Sequence, residues 1–109
     1  MFETVDVAVD FRFLRLNKLQ AITLVREVQG SSYSPAPSAN VFIGSVPLQA
    51  SYLDDINHFF IRQKVLESEC DILISSQQDA VKYVANVPSI VNRMLKDIDC
   101  PLTIKFGVS

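Results

Sequence analysis

The residues able to do chemistry in this chain are few: two cysteines, one histidine, and three glycines at positions 30, 44 and 107. Cys70 and Cys100 each stand just before an apolar run, Asp71-Ile72-Leu73-Ile74 and Leu102-Thr103-Ile104. If those runs are neighbouring parallel strands, backbones about 4.8 Å apart bring the thiols within disulfide reach, and a redox switch becomes one candidate function. A reactive thiolate, however, wants a helix N-terminus or a nearby base. Both cysteines follow predicted helix C-termini and stand beside acids, which favours two buried, reduced thiols acting as small apolar side chains.

Ligand sites in open α/β sheets lie at the carboxyl ends of strands, where helix N-termini point free amides outward. Two stretches are expected there: Gly44-Ser45 after a second strand, and Ser75-Ser76-Gln77 after a third. Gly44, Ser45, Ser75, Ser76 and Gln77 are thus the candidate residues for a phosphate or carboxylate ligand. Serine is equally a preferred helix cap, which is the simpler account of all three hydroxyls. The glycines are too few and too scattered for a phosphate-binding loop or a dinucleotide fingerprint.

His58 sits midway along a predicted helix, between Asn57 and Phe59, with nothing nearby in sequence to orient it for nucleophilic catalysis. One histidine and two distant cysteines do not make a zinc site. Asp54-Asp55 and the pair Asp97 and Asp99 could offer carboxylates to Mg²⁺, but helix surfaces carry such residues routinely. No catalytic residue, metal or cofactor is expected.

Association is the remaining reading. From Val28 to Leu53 there is no charged side chain, and Tyr33, Phe42 and Tyr52 fall within that stretch. Loss of charge with retained aromatics is the composition of interface cores, so these three are the candidate interface residues. A buried strand beside a Ser/Pro loop would look the same. Arg12, Arg15 and Lys18 form a small basic cluster beside Phe11 and Phe13, but those rings alternate onto the face opposite Arg12, and stacking on bases needs exposed rings beside the cations. The net charge of −2 gives no electrostatic pull towards nucleic acid or an anionic membrane. No stretch has the length and apolarity of a membrane span. The acidic start, Met1 to Asp6, is unlike a signal peptide, so a cytoplasmic protein with reduced thiols is expected.

These groups must be held by a single domain spanning residues 1–109. Val5, Val7, Val9, Phe11 and Phe13 alternate without a miss, predicting a strand over Glu3–Phe13. At about 3.3 Å per residue it is longer than a usual strand, so its end bends away or pairs beyond its own sheet. Asn17 and Gln20 have capping-box spacing, and Gly30 sits where a helix stops. A helix with Ala21, Ile22, Leu24, Val25 and Val28 on one side is expected, although Leu16 and Leu19 fit it badly. The alternative is a hairpin turning at Asn17-Lys18, with Leu19–Val28 returning as a strand.

Residues 30–40 read as a loop, Val41–Ile43 as a strand closed by Gly44-Ser45, and Pro47 or Ser51 as the start of a helix reaching about Glu69. That helix would face inward with Tyr52, Ile56, Phe59, Phe60 and Leu66. Strand Asp71–Ser75, a helix over Val81–Ile98 with a kink at Pro88 or two abutting helices there, and strand Leu102–Phe106 complete the order βαβαβαβ. The predicted fold is α/β, a mostly parallel four-stranded sheet flanked by three helices; the alternative is α+β with an N-terminal β-hairpin. The expected function is protein–protein association as a homo-oligomer or adaptor, ahead of a small-anion site at the strand ends and a Cys70–Cys100 switch.

Overall fold

The computed structural model describes residues 3–5, 8–75, 83–85 and 89–105. In chain order the elements are β1 (Glu3–Val5), β2 (Ala8–Leu16), α1 (Lys18–Glu27), β3 (Ser32–Pro35), β4 (Phe42–Pro47), α2 (Leu53–Arg62), β5 (Cys70–Ser75), β6 (Tyr83–Ala85), α3 (Ser89–Asp97) and β7 (Leu102–Lys105). Single 3₁₀ turns precede α2 and β5. β1 and β6 pair in parallel as a separate two-stranded ladder, while the main sheet has the order β3-β4-β2-β5-β7.

The expected mostly parallel sheet of four strands does not form. Ladders β3–β4, β4–β2 and β2–β5 are all antiparallel, and β5–β7 is the one parallel ladder in the five-stranded sheet. The cause is Ser32–Pro35, which reads by composition as loop but pairs with β4 through Tyr33↔Gly44 and Pro35↔Phe42. One extra strand after α1 reverses the chain, so β4 returns antiparallel to β2. Both helix-linked pairs, β2–α1–β3 and β4–α2–β5, then run parallel with another strand between them. That is the split βαβ arrangement of ferredoxin-like sheets, extended here by α3 and β7. The α+β alternative therefore describes the fold, although Leu19–Val28 forms α1 and its cap and not a returning strand.

Four element boundaries differ from expectation for local reasons. The alternation over Glu3–Phe13 is divided between β1 and β2, which belong to different sheets. Tyr83–Ala85 is a strand, so α3 begins only at Ser89 and does not start near position 81; Val81 and Pro88 lie outside the described residues. α2 ends at Arg62, followed by Lys64 in the left-handed region (φ 53°), so Leu66 is 62% exposed and not part of an inward helix face. Pro47 closes β4 and opens no helix.

Other expectations hold. α1 has a complete capping box: Gln20 N–H donates to Asn17 Oδ1 (2.8 Å) and Asn17 N–H to Gln20 Oε1 (2.9 Å). At its other end Val28 N–H donates to Leu24 O (2.8 Å) and Ser31 Oγ donates to Val28 O (2.6 Å), with Leu24 O a longer second acceptor (3.1 Å), as Gly30 turns the chain at φ 81°. The β5–β7 crossover is also as expected, with Ile72↔Leu102 and Ile74↔Ile104 in register and Val91 of α3 fully buried.

One apolar layer binds the helices to the sheet. Phe11, Phe13, Val46, Ile72 and Ile74 come from the strands, Ala21 and Leu24 from α1, Ile56 and Phe59 from α2, and Val91 and Met94 from α3. Phe13 meets both Phe11 and Phe59 edge-on, with ring centroids 5.0 and 4.9 Å apart. Gly44 sits where α1 comes closest to the sheet: a Cβ there would lie 2.3 Å from Leu24 Cδ2 and 3.0 Å from Leu16 Cδ1. Gly44→Ala is expected to destabilise by about 1–3 kcal/mol, the cost of overpacking a filled core. Thermal melts should show Gly44→Ala with Leu24→Ala costing less than the sum of the two single changes.

Candidate functional site

Because β2 alternates, the side chains between its buried phenylalanines point to the other face of the sheet. None of the three described helices covers that face. Arg12 projects from its centre and meets Asp71 of β5, its registered cross-strand partner. Arg12 Nε donates to Asp71 Oδ1 at 2.7 Å and Arg12 Nη2 to Asp71 Oδ2, a two-pronged ion pair. Thr103 Oγ1, from β7, donates to Asp71 Oδ2 at 2.7 Å. Three strands are thus tied together through one carboxylate. Asp71 is buried (5% side-chain exposure), whereas Arg12 retains 26%. The guanidinium pKa is raised, first by its hydrogen bond to Asp71. Asp10, two residues back on the same face, has its pKa raised by burial against a smaller opposing pull from Arg12.

The arrangement is closed. Both oxygens of Asp71 are engaged, and no buried side-chain polar atom among the described residues lacks a partner. Nor does any group of three His, Cys, Asp or Glu among those residues have the geometry to hold a metal ion.

The candidate anion residues do not gather. Gly44 and Ser45 lie inside β4, not after it. Gly44 faces the core under Leu24, while Ser45 opposes Arg12 on the other face. Ser75 ends β5 opposite Ala8, about 13 Å along the strands from the level of Ser45. Ser76 and Gln77 lie outside the described residues. Of the candidate interface residues, Tyr33 and Phe42 meet edge-to-face at 5.7 Å and 86°. Tyr52 packs elsewhere, over Gly30.

Lys18 completes the Tyr33–Phe42 group in a way its sequence position does not announce. Its Nζ lies 4.9 Å from each ring centroid and 3.2 Å from Tyr33 Oη. Beside it, Leu19, Ile22 and Val25 are 73%, 38% and 45% exposed on the outer side of α1. The misfit of Leu19 to the inward helix face was the available signal. Arg12 and Asp71 had a weaker one, a charge at alternate positions of two otherwise apolar runs.

Cys70 and Cys100 are both buried free thiols. Burial raises the pKa of Cys70 strongly, with added repulsion from Cys100, Glu69 and Asp71. Burial also lifts Cys100 to about 11, with Asp71 the next contributor. Protonated, desolvated thiols are poor nucleophiles.

Two outcomes follow. Arg12→Ala should destabilise by about 3 kcal/mol in chemical denaturation, the low end for breaking a buried pair because the guanidinium keeps some water. Arg12→Met with Asp71→Leu should recover most of that loss, since no charge is left stranded. For the thiols, folding raises the pKa, so the unfolded chain releases its protons first as pH increases. Their stabilising contribution is complete below about pH 9 and declines through about 11, and Cys100→Ala should flatten that alkaline fall in melting temperature.

No protein-family model matches the chain, and no curated protein or solved structure matches it either.

Proposed function

We propose that this domain works by association, as an adaptor that docks a protein partner on the outer side of α1 and the adjoining β3–β4 edge. The observation that carries this reading is the run Leu19, Ile22 and Val25, exposed on a helix whose opposite side already supplies Ala21 and Leu24 to the core. A helix needs only one apolar side to pack in a domain of this size; a second apolar side in water is the signature of a docking surface. Lys18 with Tyr33 and Phe42 continues the surface onto the sheet edge, where the segment after Val28 contributes no charged side chain of its own.

Charge indicates the chemistry of the partner. Arg15, Lys18 and Arg26 are exposed around the apolar run, whereas Glu27, the one acid of α1, is held by Arg62 of α2. Two copies packing α1 against α1 antiparallel would set Lys18 near Arg26 of the other copy, so self-pairing here is disfavoured. An amphipathic helix with leucines on one side and flanking glutamates fits instead.

Fluorescence anisotropy with such an acidic peptide, and with a basic peptide of identical apolar pattern, tests the idea. The acidic peptide should bind, more weakly as salt rises, and Ile22→Ser with Val25→Ser should weaken it by about tenfold or more. Because both residues are exposed, the melting temperature should hardly move. Equal affinity for the two peptides, or binding indifferent to the double change, would sink the proposal.

A further inference from the structure

The main sheet has two edges, and they are finished differently. β3 ends on Pro35, which has no N–H to offer, and its inner face is occupied by Tyr33 beneath Lys18 of α1. β7 has no proline within it, and Leu102 and Ile104 are 44% and 56% exposed on the very side where their partners Ile72 and Ile74 are buried.

The ladder also fixes which main-chain groups of β7 are spent. Ile72 N–H donates to Pro101 O (3.0 Å), so positions 101, 103 and 105 turn their backbone towards β5. Leu102 and Ile104 therefore turn their N–H and C=O groups outward. The residues with exposed apolar side chains are the same ones with outward-facing amides.

We infer that β7 is a self-association edge, pairing antiparallel with β7 of a second copy about a two-fold axis through Thr103. That register is the one in which the outward-facing groups meet: Leu102 opposes Ile104 of the other copy, twice, each exchanging two main-chain hydrogen bonds. Both lie on the helix side, so the four apolar side chains cover one another. Charge agrees with the same axis. The entry to β7 is acidic, with Asp99 exposed and its amide held by Glu67 Oε2 at 2.7 Å, and the exit is basic at Lys105. Antiparallel pairing brings each Lys105 to the acidic entry of the other copy. The interface is isologous and closed, giving a dimer with one continuous ten-stranded sheet and no open polymer. It lies at the opposite edge of the sheet from the α1 surface and does not depend on it.

Light scattering coupled to size exclusion over a rising concentration series should show a dimer in the high-micromolar range. Ile104→Pro removes only an outward N–H and a covering side chain, leaving the β5 ladder intact, and should weaken the dimer by about tenfold or more. Ile104→Lys should do the same while keeping that amide's geometry, and circular dichroism checks that both remain folded. Thr103→Cys places the two substituted positions opposite each other in a non-hydrogen-bonded pair about 4.5 Å apart, so oxidised glutathione should link them as a covalent dimer. A monomer at every concentration overturns the inference. So does a dimer that survives both Ile104 changes, or one dispersed by Ile22→Ser with Val25→Ser, which would assign self-association to α1.

Discussion

The placement of β2 between β4 and β5 is the constraint on which the rest of the molecule depends. Phe11 opposes Val46 on one side and Ile72 on the other, while Arg12 opposes Ser45 and Asp71. A slip of one residue would put Arg12 beneath α1 and α2 and send both phenylalanines into water, so hydrophobic burial already selects the register. The Arg12–Asp71–Thr103 linkage selects it again from the other face, and carries the same alignment across to β7. Ion pairs of this kind add little net stability over an apolar replacement. What this one adds is discrimination, because a slip of β2 leaves Asp71 a buried carboxylate without its cation.

Local patterns in the sequence marked most of the elements, missing β3 and β6, and were insufficient for their order. Asn17 with Gln20 marked the start of α1, and the spacing of Cys70 to Leu102 marked the parallel crossover, because each signal lies within one turn or one strand–helix unit. The direction of β4 depended on β3, four residues of which three are serine or proline. Of Ser32–Pro35 only Tyr33 favours a strand. The segment becomes one because β4 offers an unpaired edge and α1 holds Tyr33 through Lys18, both tertiary causes. The same distinction applies to Gly44, which read as the end of a strand and is in fact mid-strand, small because Leu24 occupies the space above it.

The candidate site follows the same rule. Tyr33 and Phe42 were singled out by the absence of charge around them, and they do form a common group. Lys18 was not, since a lysine at a helix start says nothing of rings in β3 and β4. The serines selected for anion binding dispersed because β4 runs on to Pro47, which leaves Ser45 mid-strand opposite Arg12, and because β2 stands between β4 and β5 although both strands end at the same edge of the sheet. A ligand site of the doubly wound type needs those ends adjacent, and the antiparallel strand β2 that overturns the parallel sheet also separates them.

Burial has a related consequence for chemistry. The polar groups with the greatest potential for reaction, the two thiols and Asp71, are the ones most removed from water, and each is held in an unreactive form: the thiols protonated, the carboxylate fully hydrogen-bonded. Among the described residues, the large apolar side chains left in water are Leu19, Ile22 and Val25 on α1, Ile61 and Leu66 at and just beyond the end of α2, and Leu102 and Ile104 on β7. On the readings proposed above, the strips on α1 and β7 are the surfaces that make contact. The strips lie at opposite edges of one sheet, and β2, pinned from both faces, is the strand that fixes the distance between them.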